Sequence, residues 1–210
     1  MDSFQNATPQ QASGSHAYRT FIHNKESIMA LAHSTMVPLG TQAPDFSLPG
    51  TDGKTYSLDS FKDTEVLVII FMCNHCPYVK AVLPRLIDLQ NKFADKSVQI
   101  VGINSNDAVK YPDDSMENMK KIAIEKNIPF PYLFDETQAV AKTYDAVCTP
   151  DIYVFGPERK LLYRGRIDDN WEHPEQVTRR DLEDAINAIL DGQPMLEEQI
   201  PSMGCSIKWK

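Results

Sequence analysis

The sequence has no apolar run long enough to cross a membrane and no dense cluster of basic residues. A membrane helix needs about 20 apolar residues, and the most apolar early stretch, 28–39, is short and contains polar residues. The formal net charge is -8, which disfavours a surface that binds phosphate groups. We therefore expect neither a membrane nor a nucleic acid as a partner.

Cysteine is also scarce, because the 210 residues contain four. Segment 1–15 is polar and lacks both the basic start and the apolar core of a secretory signal. We therefore expect the protein in the cytoplasm, where thiols are mainly reduced and a close cysteine pair is more often catalytic than structural. A structural zinc site would need a second close pair, which is missing. We expect no metal and no cofactor.

Two residues separate Cys73 from Cys76, directly after the apolar run 66–72 and before a stretch with helical periodicity. On the first turn of a helix, this spacing brings two sulfurs close enough to form a small, reversible disulfide. We expect the amino end of that helix to stabilise a thiolate on Cys73. A partly cationic His75 would lower the pKa of Cys73 further. The alternative is that His75 is an exposed spacer without a role.

The remaining pattern predicts strands alternating with helices. Short segments on either side of the turn 50–54 predict a β-hairpin. The run 66–71 predicts a central strand buried on both faces, with 98–103 as a parallel neighbour. Segments 152–155 and 160–164 predict an antiparallel hairpin. Apolar periodicity and capping residues predict helices at 79–93, 115–127, 135–144 and 177–190.

Three segments, in this order, resemble the thioredoxin-like superfamily. The first is the opening 40–46, Gly-Thr-Gln-Ala-Pro-Asp-Phe, and the second is Cys73 to Cys76 after the central strand. The third is 144–151, which contains Cys-Thr-Pro-Asp before a hairpin strand. The resemblance covers roughly residues 37–189 and is strongest to the redoxin group, which includes alkyl hydroperoxide reductase and thiol-specific antioxidant proteins.

This resemblance implies an α/β, thioredoxin-like fold, with a central mixed β-sheet flanked by helices and an N-terminal β-hairpin extension. The expected organisation is an N-terminal tail at 1–36 that is at least partly disordered, a redoxin domain at 37–192 and a C-terminal tail at 193–210. Apolar residues in that last tail, Ile207 and Trp209, indicate that it docks on an apolar surface.

The resemblance also implies a thiol-disulfide oxidoreductase. Cys73 would attack a substrate disulfide, and Cys76 would then attack Cys73 and release the reduced substrate. The residue at the place of Pro150 is usually a cis proline that lies against the redox pair. Thr149, extended because it precedes proline, could present its backbone to a docking peptide. Expected partners are a protein or small-molecule disulfide and a thiol reductant of unknown identity.

Two further cysteines have open roles. Cys148 directly precedes Thr149 and is either a small buried residue or a third redox thiol. Cys205 lies in the predicted C-terminal tail and could resolve an oxidised thiol. Since no acidic residue occurs in 66–72, the proton acceptor for Cys76 must come from elsewhere, with His75 and Asp107 as candidates.

A thiol-dependent peroxidase, an antioxidant of the peroxiredoxin type with a peroxide as its substrate, is the alternative function. Peroxiredoxins carry the phrase Pro-x-x-x-Thr/Ser-x-x-Cys, and neither Cys73 nor Cys76 is preceded by it. Arg164 and Arg166 could supply the positive charge that orients a peroxide. A non-catalytic binding module is a third alternative, which the presence of both cysteines disfavours.

Overall fold

The computed structural model describes residues 31–195 and 198–210. The strands in these ranges are β1 (Leu31–His33), β2 (Ser47–Pro49), β3 (Thr55–Ser57), β4 (Val66–Phe71), β5 (Val98–Asn104), β6 (Tyr132–Phe134), β7 (Cys148–Thr149), β8 (Asp151–Phe155), β9 (Leu161–Arg164) and β10 (Met203–Ser206). The helices are α1 (Pro77–Lys92), α2 (Met116–Glu125), α3 (Ala139–Thr143) and α4 (Asp181–Leu190). None of these helices is long and apolar enough to span a membrane.

The centre of the fold is a mixed sheet of order β6-β5-β4-β8-β9. Strand β4 runs parallel to β5 and antiparallel to β8, and every residue of β4 is buried. Alternate side chains of a strand point to opposite faces, so Val68 and Ile70 join one core with α1 and α4, whereas Ile69 and Phe71 join a second core with Tyr153. The prediction of a central, doubly buried strand is confirmed.

Both predicted hairpins are also confirmed. Strands β2 and β3 pair antiparallel around the turn 50–54, and β8 and β9 pair antiparallel at the edge of the central sheet. The fold is therefore α/β, with a mixed central sheet between helices and a hairpin extension that precedes it.

Helix α1 begins at Pro77, and the expectation of a helix start at Cys73 is wrong. Cys76 is the N-cap, with φ -64° and ψ 122°. A residue that precedes proline is displaced from helical geometry, whereas proline itself is suited to the first helical position. The amino end of the helix is consequently nearest to Cys76.

Two other helices start later than predicted. The prediction begins α3 at Asp135, but Gln138 is in the left-handed region with φ 64° and is the N-cap. The Asp135 carboxylate instead accepts a hydrogen bond from the Ala141 N–H at 2.9 Å. The short 3-10 turn Pro174–Gln176 precedes α4, which starts at Asp181 rather than at 177.

The C-terminal segment belongs to the fold, so its description as a tail is wrong for 203–210. Strand β10 lies between β1 and β7 in a three-stranded sheet. Beyond it, Ile207 is buried in the second core, as the prediction of apolar docking requires. Strand β1 falls in the predicted tail 1–36, and the rest of that tail through residue 30, including the part expected to be disordered, lies outside the described ranges.

Candidate redox site

Cys73 and Cys76 lie in the connection from β4 to α1, and both are buried. Their residues are 1% and 0% exposed, so neither sulfur lies open at the surface. The Cys73 sulfur lies 3.6 Å from the Thr149 hydroxyl. The Cys76 sulfur lies 3.1 Å from the Thr149 carbonyl oxygen and 3.0 Å from the Cys205 sulfur.

The peptide bond between Thr149 and Pro150 is cis, as the resemblance implied. The expected role of Thr149 in docking a peptide meets an obstacle, because Thr149 already pairs antiparallel with Cys205 of β10. The two strands approach so closely that a Cβ on Gly204 would lie 2.0 Å from the Thr149 carbonyl oxygen. The chain's own strand thus occupies the edge that an extended peptide would use.

His75 faces away from the role that the sequence indicated for it. Its Nδ1 lies 2.5 Å from the Asp114 carboxylate, and its ring stacks on Tyr111. Asp114 is fully buried and also accepts hydrogen bonds from the Asn74 N–H and the Asn106 side chain, both at 2.8 Å. The Asp114 carboxylate therefore faces the imidazole and can balance its charge. The sequence pattern did not indicate Asp114 as a site residue, because it lies 39 residues from His75 along the chain.

The two thiols of the pair have opposite pKa shifts. Burial raises the pKa of Cys73 well above its usual value, and both the hydrogen bond to Cys76 and the nearby Asp114 carboxylate raise it further. The contact with Cys73 lowers the pKa of Cys76 to about 5 against the opposing effect of burial, and contacts with Thr149, Cys205 and the Val79 N–H at the start of α1 also lower it. The lower pKa of the pair therefore belongs to Cys76, whereas the sequence predicts it for Cys73.

Residues 39–164, more than half of the chain, match the AhpC/TSA family. The protein belongs to this family. Among curated proteins, this redoxin is 28% identical to the thioredoxin-like protein YneN of Bacillus subtilis, over 70% of this chain and 78% of the relative. It is 22% identical to the thiol-disulfide oxidoreductase ResA of Bacillus thuringiensis over 68% and 78%. Similarity to a putative peroxiredoxin Q of Oryza sativa, 28% identical, covers 51% of this chain and 46% of that protein.

Solved structures show the same fold. An uncharacterized conserved protein from Geobacillus kaustophilus superposes on the redoxin with a TM-score of 0.82 and 51% identity, covering 87% of this chain and 97% of the other. A hypothetical protein from Sinorhizobium meliloti gives the same TM-score with 38% identity over 85% and 98%. The thioredoxin domain of a thiol-disulfide oxidoreductase from Bacteroides vulgatus, 24% identical, has a TM-score of 0.53 over 61% and 89%. The redoxin therefore has a thioredoxin-like fold.

The four cysteines of this redoxin are not equally placed. Cys148 is fully buried, and its sulfur contacts the Pro150 carbonyl oxygen and the Ser34 hydroxyl at 3.6 and 3.9 Å. Burial raises the pKa of Cys148 well above its usual value. Of the two interpretations of Cys148, a small buried residue or a third redox thiol, the first agrees with these contacts. Cys205, in contrast, contacts Cys76 directly.

The two arginines that could orient a peroxide have other partners. Arg164 is fully buried, pairs with the Asp151 carboxylate and lies over the Tyr153 ring, with its Cζ 3.7 Å from the centroid. Arg166 donates from its Nε to the Asp181 carboxylate at 2.6 Å. A carboxylate therefore compensates the charge of each arginine.

Asp107, a candidate proton acceptor for Cys76, stabilises its own loop instead. Its carboxylate accepts from the Val109 N–H at 3.0 Å and pairs with Lys110 at 3.1 Å.

Three possible metal ligands come together within the described residues. The ligand atoms of Cys73, His75 and Asp114 lie within 4.8 Å of one another. The Asp114 carboxylate also accepts three hydrogen bonds, one on Oδ1 and two on Oδ2, so a cation would have to displace a donor or use the lone pair left on Oδ1. The arrangement is that of a hydrogen-bonded network beside a thiol pair.

Proposed function

We propose that this redoxin is a thiol-disulfide oxidoreductase that alternates between a dithiol and a disulfide at Cys73 and Cys76. The observation that carries the proposal is the placement of both buried sulfurs against Thr149, which precedes the cis Pro150, and the lowered pKa of Cys76 agrees with it. Such a pair holds a nucleophile and a proton acceptor in contact. The relatives named as thiol-disulfide oxidoreductases support the same class of reaction.

In the first step, the Cys73 sulfur attacks one sulfur of a substrate disulfide, and the Cys73 proton passes to the Cys76 thiolate. The substrate disulfide breaks, a mixed disulfide forms on Cys73, and the other half of the substrate leaves as a thiolate. Cys76 thus serves as the base that no acidic residue in β4 supplies.

In the second step, the Cys76 sulfur attacks Cys73. The mixed disulfide breaks, the Cys73–Cys76 disulfide forms, and the departing substrate thiolate takes the proton from Cys76. Two electrons have then passed from the protein to the substrate. A thiol reductant, whose identity the proposal leaves open, restores the dithiol.

Three neighbours of the pair have supporting roles. Thr149 contacts both sulfurs, and Pro150 follows it in the cis form. His75 is a positioning residue, because it holds the Asp114 carboxylate near Cys73. Since both sulfurs are buried, we expect a substrate to react only after a local opening, and a small disulfide to react faster than a bulky one.

The proposal is tested by comparing wild-type protein with Cys73→Ser and Cys76→Ser variants on glutathione disulfide and on insulin. We expect Cys73→Ser to reduce both substrates far more slowly than the wild-type protein, because the attacking sulfur is gone, and Cys76→Ser to accumulate a mixed disulfide that mass spectrometry detects. Cys148→Ser is the matched control, because it removes a buried thiol that has no contact with the pair's sulfurs. Wild-type turnover by either pair variant would refute the mechanism.

The similarity to peroxiredoxin Q supports a second candidate, a thiol-dependent peroxidase. The two functions are separated by the rate at which the fully reduced protein is oxidised by hydrogen peroxide, compared with its rate against glutathione disulfide. Fast peroxide reaction would favour the peroxidase.

A further inference from the structure

Cys205 forms a third member of the thiol cluster, although it lies in a segment that the sequence describes as a tail. Its sulfur is 3.0 Å from the Cys76 sulfur, about 1 Å longer than the bond length of about 2.05 Å in a disulfide. Both residues are buried. Bond formation therefore requires the two sulfurs to approach by about 1 Å.

The position of Cys205 is fixed because β10 pairs with a strand on each side. Cys205 lies opposite Leu31 of β1 and Thr149 of β7. The preceding Gly204 allows this contact, because any side chain there would collide with the Thr149 carbonyl. After the strand, the Lys208 N–H donates to the Asn106 side chain at 2.8 Å.

We propose that Cys205 is a resolving thiol, which exchanges with the Cys73–Cys76 disulfide to form a Cys76–Cys205 disulfide. This inference rests on the proposed function, since that function supplies the first disulfide. In the exchange, the Cys205 sulfur attacks the Cys76 sulfur and the bond to Cys73 breaks. Cys73 leaves as a thiolate and takes the proton that Cys205 loses. No electrons enter or leave the protein in this step.

Because the Cys205 sulfur contacts the Cys76 sulfur, Cys76 is the expected partner of Cys205. Cys148, the fourth cysteine, lies in a different environment. Cys148 contacts a carbonyl and a hydroxyl rather than a sulfur of the pair. Burial raises the pKa of Cys205 to about 12, so it is a thiol until the exchange. The product releases the Cys73 thiol and links β10 covalently to the start of α1.

The same strand occupies the edge of Thr149 where an extended peptide would dock. A Cys76–Cys205 disulfide would hold β10 on that edge, and its reduction would release the strand. The oxidation state of the cysteines would therefore control whether a peptide can dock at the Thr149 edge.

The experiment is peptide mapping of the full-length protein after oxidation with glutathione disulfide, with alkylation of remaining thiols and no reduction. Trypsin places Cys73 and Cys76 together in peptide 63–80, Cys205 in peptide 181–208 and Cys148 in peptide 143–159. The Cys73–Cys76 disulfide stays within one peptide, whereas the proposed disulfide joins 63–80 to 181–208. Fragmentation between the two cysteines of 63–80 identifies Cys76 as the linked residue.

The Cys73→Ser variant isolates the proposed contact. Glutathione disulfide forms an adduct on Cys76 and releases one glutathione, and Cys205 then displaces the second glutathione. We expect the cross-linked peptides to form in this variant, to be lost completely in Cys73→Ser/Cys205→Ser, where the glutathione adduct persists, and to be unchanged in Cys73→Ser/Cys148→Ser.

Absence of the cross-link in the wild-type protein would overturn the inference, even if Cys73→Ser forms it, because the proposed exchange starts from the Cys73–Cys76 disulfide. The Cys205→Ser variant separates this failure from failure of the proposed function. If Cys205→Ser still forms the Cys73–Cys76 disulfide and reduces insulin, the oxidoreductase function stands and the inference alone fails. If that variant and the wild-type protein both fail to reduce any disulfide, the proposed function fails first.

Discussion

Replacing Asp114 by asparagine should make Cys73 a faster nucleophile at neutral pH and the protein less stable. The carboxylate lies within 4.8 Å of the Cys73 sulfur and raises the pKa of that thiol. At 4.8 Å, two unit charges repel by about 0.9 kcal/mol in water and by about 3.5 kcal/mol at an effective dielectric constant of about 20. Removal of the charge should therefore increase the thiolate fraction of Cys73 by about 4-fold to 300-fold.

The stability effect follows from the hydrogen bonds. Asp114 accepts from the Asn74 N–H, His75 and Asn106, and an asparagine amide would place a donor against at least one of these donors. A buried donor left without an acceptor costs about 1–3 kcal/mol. Urea denaturation should show a loss of this size in the free energy of unfolding.

The rate is measured with iodoacetamide in a Cys76→Ser background, so that Cys73 titrates without its partner. Asp113→Asn is the matched control, because it makes the same chemical change at the adjacent, exposed position. A charge effect shifts the pH profile, so the rates of the two variants should converge at high pH. Easier local opening would instead raise the Asp114→Asn rate by one factor at every pH. An unchanged or slower rate at pH 7 would refute the electrostatic role of Asp114.

Gly204→Ala should lower the free energy of unfolding by about 1–3 kcal/mol, as overpacking does, because the added Cβ would lie 2.0 Å from the Thr149 carbonyl oxygen. The same variant should also reduce the yield of the Cys76–Cys205 cross-link. Ser206→Ala on the same strand is the control, and urea denaturation showing equal stability for both variants would contradict the clash. The reduced protein should lose stability relative to Cys76→Ser as the pH falls from about 9 to about 5, because the folded pKa of Cys76 is lowered to about 5 from a model-compound value of 9.0. Urea denaturation at pH 5, 7 and 9 checks this, and a difference that does not vary with pH would place the thiolate elsewhere.

Several features of the site are predictable because they depend on neighbours in sequence. Continuous apolar residues in 66–71 determine a strand buried on both faces. The cysteine spacing places two sulfurs at the carboxyl end of that strand, and Pro150 marks the loop that meets them. The late start of α1 was also readable, because Pro77 keeps Cys76 out of helical geometry.

The exposure and charge of the pair depend on contacts that no local pattern records. Asp114 is 39 residues from His75 in sequence, and Cys205 is 129 residues from Cys76. Tertiary structure buries Cys73, pairs His75 with a carboxylate and lowers the pKa of Cys76. A pKa responds to every charge and hydrogen bond within a few ångströms, and those neighbours come from separate elements.

By itself, the sequence determined the thioredoxin-like fold, the central strand and the two cysteines that can form a disulfide, because apolar alternation and short spacings act through the local chain. Only the tertiary structure decided which cysteine has the lowered pKa, that β10 covers the Thr149 edge and that Cys205 meets Cys76. The physical reason is that strand pairing and burial join segments far apart in the chain, and it is these segments that set the electrostatics of the site.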